Sequence, residues 1–356
     1  MGNEFTMRQY GLSEAVEKSA DRFADLTVSR VLSQEKGIYR LVSSQGEKWG
    51  EVSGRFLYDI QVKSEYPAVG DFVMADWNKN GGNAVIHHVL PRKSSFLRKA
   101  AGEKHEEQVV AANIDTVFLC MSLNNDFNLR RLERYVSIAW NSGAVPVVVL
   151  TKSDLCEEPD RKLTQVSSVA AGVDVLVTNT VNQSGYEQIY PYLTEGKTVA
   201  FIGSSGVGKS TLINCLLGKK QLNTNGLRKD DKGRHTTTHR ELILLPSQGM
   251  VIDTPGMREL GMWDAEDGID QTFSDIEKLA QRCRFRDCTH TGRESGCAVQ
   301  EAAERGELSM DRVRSYLKLI NENRYMENSQ DYLARKKQKF KDIAKINKRN
   351  RKRDKK

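Results

Sequence analysis

The stretch Thr198-Val199-Ala200-Phe201-Ile202-Gly203-Ser204-Ser205-Gly206-Val207-Gly208-Lys209-Ser210-Thr211 decides the fold. A β-branched apolar run ends in Gly, four residues, Gly, Lys and Ser. Leu212, Ile213, Leu216 and Leu217 then fall on one helical face, and Gly218 ends the helix. Strand, glycine loop and helix in this order make a phosphate-binding loop. Its backbone N–H groups curl around phosphate oxygens and the helix amino end adds positive potential. Lys209 bridges the outer phosphates and Ser210 ligates Mg²⁺.

Similar apolar runs lie at Thr116 to Met121, Val145 to Leu150, Val173 to Val177, Leu242 to Leu245 and Met250 to Ile252, with helical stretches such as Leu129 to Trp140 between several of them. This grammar predicts an α/β fold, a mostly parallel sheet with helices on both faces. Ligands of such sheets gather at the carboxyl ends of the strands, so the loops after these runs are where chemistry belongs.

Two of those loops carry signals. Thr151-Lys152-Ser153-Asp154 follows the Val145 run and resembles the Asn-Lys-x-Asp guanine signature of GTPases. A carboxylate only accepts hydrogen bonds, and guanine offers two adjacent donors where adenine places an acceptor, so Asp154 selects GTP over ATP. Lys152 lays its stem along the base. Thr151 replaces the usual Asn, keeping a hydroxyl and losing the amide, which leaves the amide's contact with the phosphate loop open. Met250-Val251-Ile252-Asp253-Thr254-Pro255-Gly256 ends a strand in an Asp that would hold Mg²⁺, with the Gly256 amide set for the γ-phosphate. Between them, Gly233-Arg234-His235-Thr236-Thr237-Thr238 suits a switch loop in which one of the three threonines reaches Mg²⁺; which one stays open.

Asp154 precedes Gly203 by 49 positions, whereas most GTPases place the phosphate loop first. The order is a circular permutation. Ahead of it, short β-rich runs between Leu26 and Val89 predict a five-stranded barrel of the OB type, a fold that suits RNA or protein docking alike. Residues 1 to 26 read as an amphipathic helical lead-in with Leu12, Val16 and Ala20 four apart.

Cys283, Cys288, His290 and Cys297 fall within 15 residues and supply three thiolates and one imidazole, a full tetrahedral Zn²⁺ set with no position left for water. The metal is therefore read as structural.

The permuted order, the barrel, the motifs TKSD, GSSGVGKST, GRHTTT and DTPG, and the cysteine pattern together resemble the ribosome-small-subunit-dependent GTPase A family of assembly factors. The resemblance spans about residues 28–325. It implies a ribosome-stimulated GTP hydrolase bound to the small ribosomal subunit and its rRNA, acting in late subunit maturation with hydrolysis coupled to release. It also implies a three-Cys, one-His zinc element where this chain has its cluster.

Composition agrees with that class. The 356 residues, 38% hydrophobic and 28% charged, suffice for a sizeable core. No run reaches the roughly 18 apolar residues of a membrane span, and the amino end lacks a signal-peptide core, so a cytoplasmic monomer with no membrane partner is expected. The net charge of +7 is uneven: residues 335–356 hold 13 Lys or Arg against two Asp, a local +11, leaving −4 for the rest. Such a tail suits a polyanion.

The expected division is an extension at 1–27, the barrel at 28–97, the permuted GTPase domain at 98–265, a mainly helical zinc-binding element at 266–330 and a basic tail at 331–356. One gap stands out. Met257 occupies the place where many GTPases carry a water-orienting Gln, and His235 is the local candidate for that task. Two rival readings remain from the residues: a non-catalytic RNA-binding scaffold holding GTP, and an ATP-using phosphotransferase, which Asp154 opposes.

Overall fold

The computed structural model describes residues 7–60, 62–77, 81–99, 107–179, 182, 184–218, 240–253, 266–292 and 294–324. Helix α1 (Glu14–Ala20) leads in; Leu12, Val16 and Ala20 pack with Met7 against Phe72, Met74 and Leu90. The alternation over residues 27–89 folds as β1 (Thr27–Glu35), β2 (Ile38–Ser43), β3 (Gly46–Val52), the short helix α2 (Gly54–Asp59), β4 (Phe72–Asp76) and β5 (Ala84–Val89). β1 pairs antiparallel with β2 and β4, β2 with β3, and β4 with β5, while β3 and β5 run parallel. The ring closes without a free edge around Val31, Tyr39, Leu41, Val73 and Ile86, as an OB-type barrel does.

A hairpin that the sequence pattern did not separate follows, β6 (Ser95–Lys99) with β7 (Glu107–Ala112). The second sheet then begins: β8 (Thr116–Ser122), α3 (Leu129–Ser142), β9 (Val145–Thr151), α4 (Pro159–Val169), β10 (Asp174–Val177), β11 (Thr198–Ile202), α5 (Lys209–Leu216), β12 (Glu241–Leu244) and β13 (Met250–Asp253). Its order is β10-β9-β8-β11-β13-β12, parallel except for β12. Alternate residues go to opposite faces. Val117, Leu119, Val148, Leu150 and Ile202 join one apolar cluster, and Phe118, Val147, Val149, Val199 and Phe201 the other. From β8 the chain steps outward to β10 and returns to place β11 on the other side of β8. The crevice between β8 and β11 is thus the topological switch point, where ligands of open α/β sheets sit.

Two joints hold the parts together. β1 reaches β12 at Ser33 opposite Glu241, which joins barrel and sheet. The buried Arg30 guanidinium of β1 donates to the carbonyls of Tyr10 and Gly70 and, at 2.8 Å, to the Thr198 hydroxyl at the root of β11. Burial lowers its pKa to about 10, against the opposing pull of Asp115 and Asp71.

At the carboxyl end, α6 (Glu266–Thr272), α7 (Ser274–Ala280), α8 (Ala298–Glu304) and the helix α9 at 310–324 pack on α3. A Cβ on Gly268 would stand 2.3 Å from the Ser137 carbonyl, so the α6 and α3 backbones touch. Arg312 of α9 donates to the fully buried Glu133 of α3 at 2.8 Å and forks onto Asp275 at 2.8 and 2.7 Å. Among the described residues, no helix is long and apolar enough to cross a membrane.

Candidate nucleotide and metal sites

The loop Gly203 to Gly208 leaves β11 at the switch point. It lies so close to β8 that a Cβ on Gly203 would come within 2.5 Å of the Cys120 carbonyl, which only glycine avoids. Val207 is buried beneath the loop, and Ser210 and Thr211 open α5 half-exposed. The Lys209 ammonium donates to the Gly203 and Ser204 carbonyls, both at 2.7 Å, which sets its charge at the mouth of the loop.

Thr151-Lys152-Ser153-Asp154 ends β9 beside this loop. The Thr151 hydroxyl, fully buried, donates at 2.6 Å to the Val207 carbonyl. The substitution of Thr for Asn thus keeps a tie between the two motifs, made by a hydroxyl. Lys152 takes a left-handed conformation (φ 57°) that starts the turn Ser153–Leu155, on which Asp154 is exposed. β13 runs parallel to β11, with Ala200 opposite Ile252, so the Asp253 backbone reaches the same edge of the sheet. His235, Thr236, Thr237, Thr238, Gly256, Met257 and the tail at 331–356 lie outside the described residues.

Two groups the sequence reading passed over join this edge. Thr178 follows β10, and its carbonyl accepts from the Ser153 amide at 3.4 Å. Asp126, in the loop after β8, accepts from the Ser204 hydroxyl of the phosphate loop and from Arg131 at 2.9 and 2.8 Å. Burial pushes the Asp126 carboxyl up, but the hydrogen bonds from Ser204 and Arg131 outweigh it, and its pKa lies below the ordinary value. The rule that loops after parallel strands carry the chemistry pointed to both positions. What hid them was the lack of any recognisable motif.

Cys283, Cys288, His290 and Cys297 bring their ligand atoms within 4.8 Å of one another. The Cys283 and Cys297 sulfurs are 4.0 Å apart, and His290 Nδ1 is 3.6 and 3.5 Å from them. A tetrahedral Zn²⁺ with Zn–S of about 2.3 Å and Zn–N of about 2.0 Å sets sulfurs about 3.8 Å apart and sulfur about 3.5 Å from nitrogen. The donor set and its spacing fit that ion. Cys297 leads directly into α8, and Cys283 and Cys288 pack against the cluster that includes Val136 and Ile138 of α3.

A family profile described as RsgA GTPase matches residues 89–263. The "Small ribosomal subunit biogenesis GTPase RsgA 2" of Lactiplantibacillus plantarum is 46% identical over 318 residues, 89% of this chain and 89% of that protein. The chain belongs to the RsgA GTPase family. Among solved structures, YjeQ from Thermotoga maritima is similar, with a TM-score of 0.61 and 28% identity over 83% of this chain and 98% of that one. YloQ, described as a circularly permuted GTPase, shares the fold at a TM-score of 0.55 and 24% identity over 86% of this chain and 96% of that one. The RsgA fold thus accounts for the order in which Asp154 precedes Gly203. A second profile, ABC transporter, matches residues 186–350. That range includes the phosphate loop, which many nucleotide-binding families share, and leaves out Thr151 to Asp154.

Proposed function

We propose that this chain is a cytoplasmic, monomeric GTP hydrolase that binds the small ribosomal subunit through barrel, zinc element and basic tail and couples hydrolysis to its own release late in subunit maturation. The observation that carries the reading is the Thr151 to Val207 hydrogen bond, which joins a guanine-type motif to a phosphate loop in permuted order. The names of the relatives, small ribosomal subunit biogenesis GTPases, supply the partner.

In this reading Asp154 accepts from the guanine edge and Lys152 covers the base. The amides of Gly203 to Thr211 and the Lys209 ammonium hold the phosphates. Ser210, Asp253 and one of Thr236, Thr237 or Thr238 would hold Mg²⁺, which neutralises charge on the outer phosphates when bound. Gly256 contacts the γ-phosphate. Met257 cannot orient water, so unassisted turnover is slow and His235 takes that task when the subunit is bound. Cys283, Cys288, His290 and Cys297 hold a structural Zn²⁺ that cross-links a segment poor in apolar residues.

The test is GTP turnover with and without purified small subunits. Slow release of phosphate alone and a rise of tenfold or more with subunits are expected. No release in either condition would leave only a nucleotide-holding scaffold, and equal turnover of ATP would remove the role of Asp154.

A further inference from the structure

The loop of residues 123–128 joins β8 to α3 and is tied to three parts of the nucleotide edge. Its Leu123 amide donates to the Thr151 carbonyl at 2.9 Å, at the start of the base-reading motif. The Leu123 carbonyl accepts from Lys162 of α4 at 2.7 Å, and that ammonium stands 5.2 Å from the centre of the Phe127 ring. Inside the loop, Asn124 Oδ1 accepts from the Ser122 hydroxyl at 2.7 Å and from the Asp126 amide at 3.0 Å. The backbone beneath Asp126 is therefore fixed, and its carboxylate reaches across to Ser204 of the phosphate loop, 78 positions away in sequence.

Two bonds meet on Ser204 from opposite ends. Its hydroxyl donates to Asp126, and its carbonyl accepts from the Lys209 ammonium at 2.7 Å. Gly203 and Gly206 leave this stretch of backbone with little stiffness of its own, so an anchored side chain decides which way the Ser204 carbonyl faces. A carboxylate beside an anion site opposes phosphate binding unless its charge is met. Arg131 meets it, donating to both Asp126 oxygens at 2.9 and 2.8 Å. The pair thus presents the loop with an acceptor in a set place and little net charge.

We propose that Asp126 is a positioning residue for GTP hydrolysis: by holding the Ser204 hydroxyl it fixes the Ser204 carbonyl, and that carbonyl sets the Lys209 ammonium against the outer phosphates. Asp126 acts only through Ser204. A displaced ammonium loses most where charge builds on the outer phosphate oxygens, so the effect falls on the rate at saturation more than on nucleotide affinity. The inference rests on the role given to Lys209 above.

The experiment follows single-turnover GTP hydrolysis by the full chain with Mg²⁺ over a range of GTP concentrations, with GDP affinity and Tm measured on the same proteins. Asp126→Ala should lower the saturating rate about tenfold, while the half-saturating GTP concentration and GDP affinity stay within about threefold. Asp126→Asn loses the charge but keeps an acceptor oxygen for Ser204, so its rate should lie within about threefold of the wild type even where its Tm is lower. Ser204→Ala removes the donor and leaves Asp126 paired with Arg131. It should be as slow as Asp126→Ala, and the double variant should be no slower than either. Where Asp126→Ala melts too low to assay, Ser204→Ala against Asp126→Asn carries the same comparison. Losses that multiply in the double variant, an Asp126→Asn protein as slow as Ser204→Ala, or wild-type rates in both alanine variants would overturn the proposal. Persistent turnover by Lys209→Ala would remove the role of Lys209 itself, whereas a fast Asp126→Ala beside an inactive Lys209→Ala overturns only the part given to Asp126.

Discussion

The Thr151 hydroxyl donates to the Val207 carbonyl across 2.6 Å, and this bond ties the end of β9 to the glycine loop that follows β11. Thr151→Val keeps the shape and removes the donor, leaving a buried carbonyl unpartnered at about 1–2 kcal/mol. GTP and GDP affinity should fall about tenfold by that energy. Thr151→Ser should restore most of it, as isothermal titration would show; equal affinities for all three proteins would mean the two loops are independent.

In the proposed reading, Asp154→Asn exchanges an acceptor oxygen for a donor facing the guanine donors. GTP binding should weaken by two orders of magnitude or more, while xanthosine triphosphate, which offers an acceptor there, should gain. Competition among the three nucleotides measures this. Lys209→Ala should abolish turnover with an unchanged circular dichroism spectrum.

Asp126 links pH to the phosphate loop. Its folded pKa is depressed, so its stabilising contribution is complete above the unfolded value of about 3.9 and is lost as pH falls through the folded value. Asp126→Asn should therefore destabilise the protein at pH 7, and the gap in urea midpoint between variant and wild type should narrow as pH drops below about 4. A gap independent of pH would show that the charge on Asp126 is immaterial.

Removal of the proposed zinc should reach beyond its own segment. Cys297, Val299 and Tyr316 share one apolar cluster with Val136 of α3, and Arg312 ties α9 to Glu133. Chelation, or Cys288→Ser, should lower Tm by about 5–10 °C, equivalent to a few kcal/mol for a chain of this size. Hydrogen exchange should quicken in 266–324 and in α3 together. Faster exchange confined to 266–324 would show that the shared core does not couple them.

Much of this protein was legible in order along the chain. The phosphate loop, TKSD and the cysteine cluster are contiguous motifs whose chemistry depends on spacing of a few residues, and the strands announce themselves by apolar runs bounded by turns. The permutation, too, is only an order of motifs. By contrast, the contacts of Arg30 with Thr198 and of Arg312 with Glu133 join buried residues 168 and 179 positions apart. A charged or polar residue in a linear pattern reads the same whether it is solvated or buried. Only the closing of the barrel, the return of β11 beside β8 and the packing of α9 on α3 take water away from these groups, and it is the loss of water that forces each to find a partner.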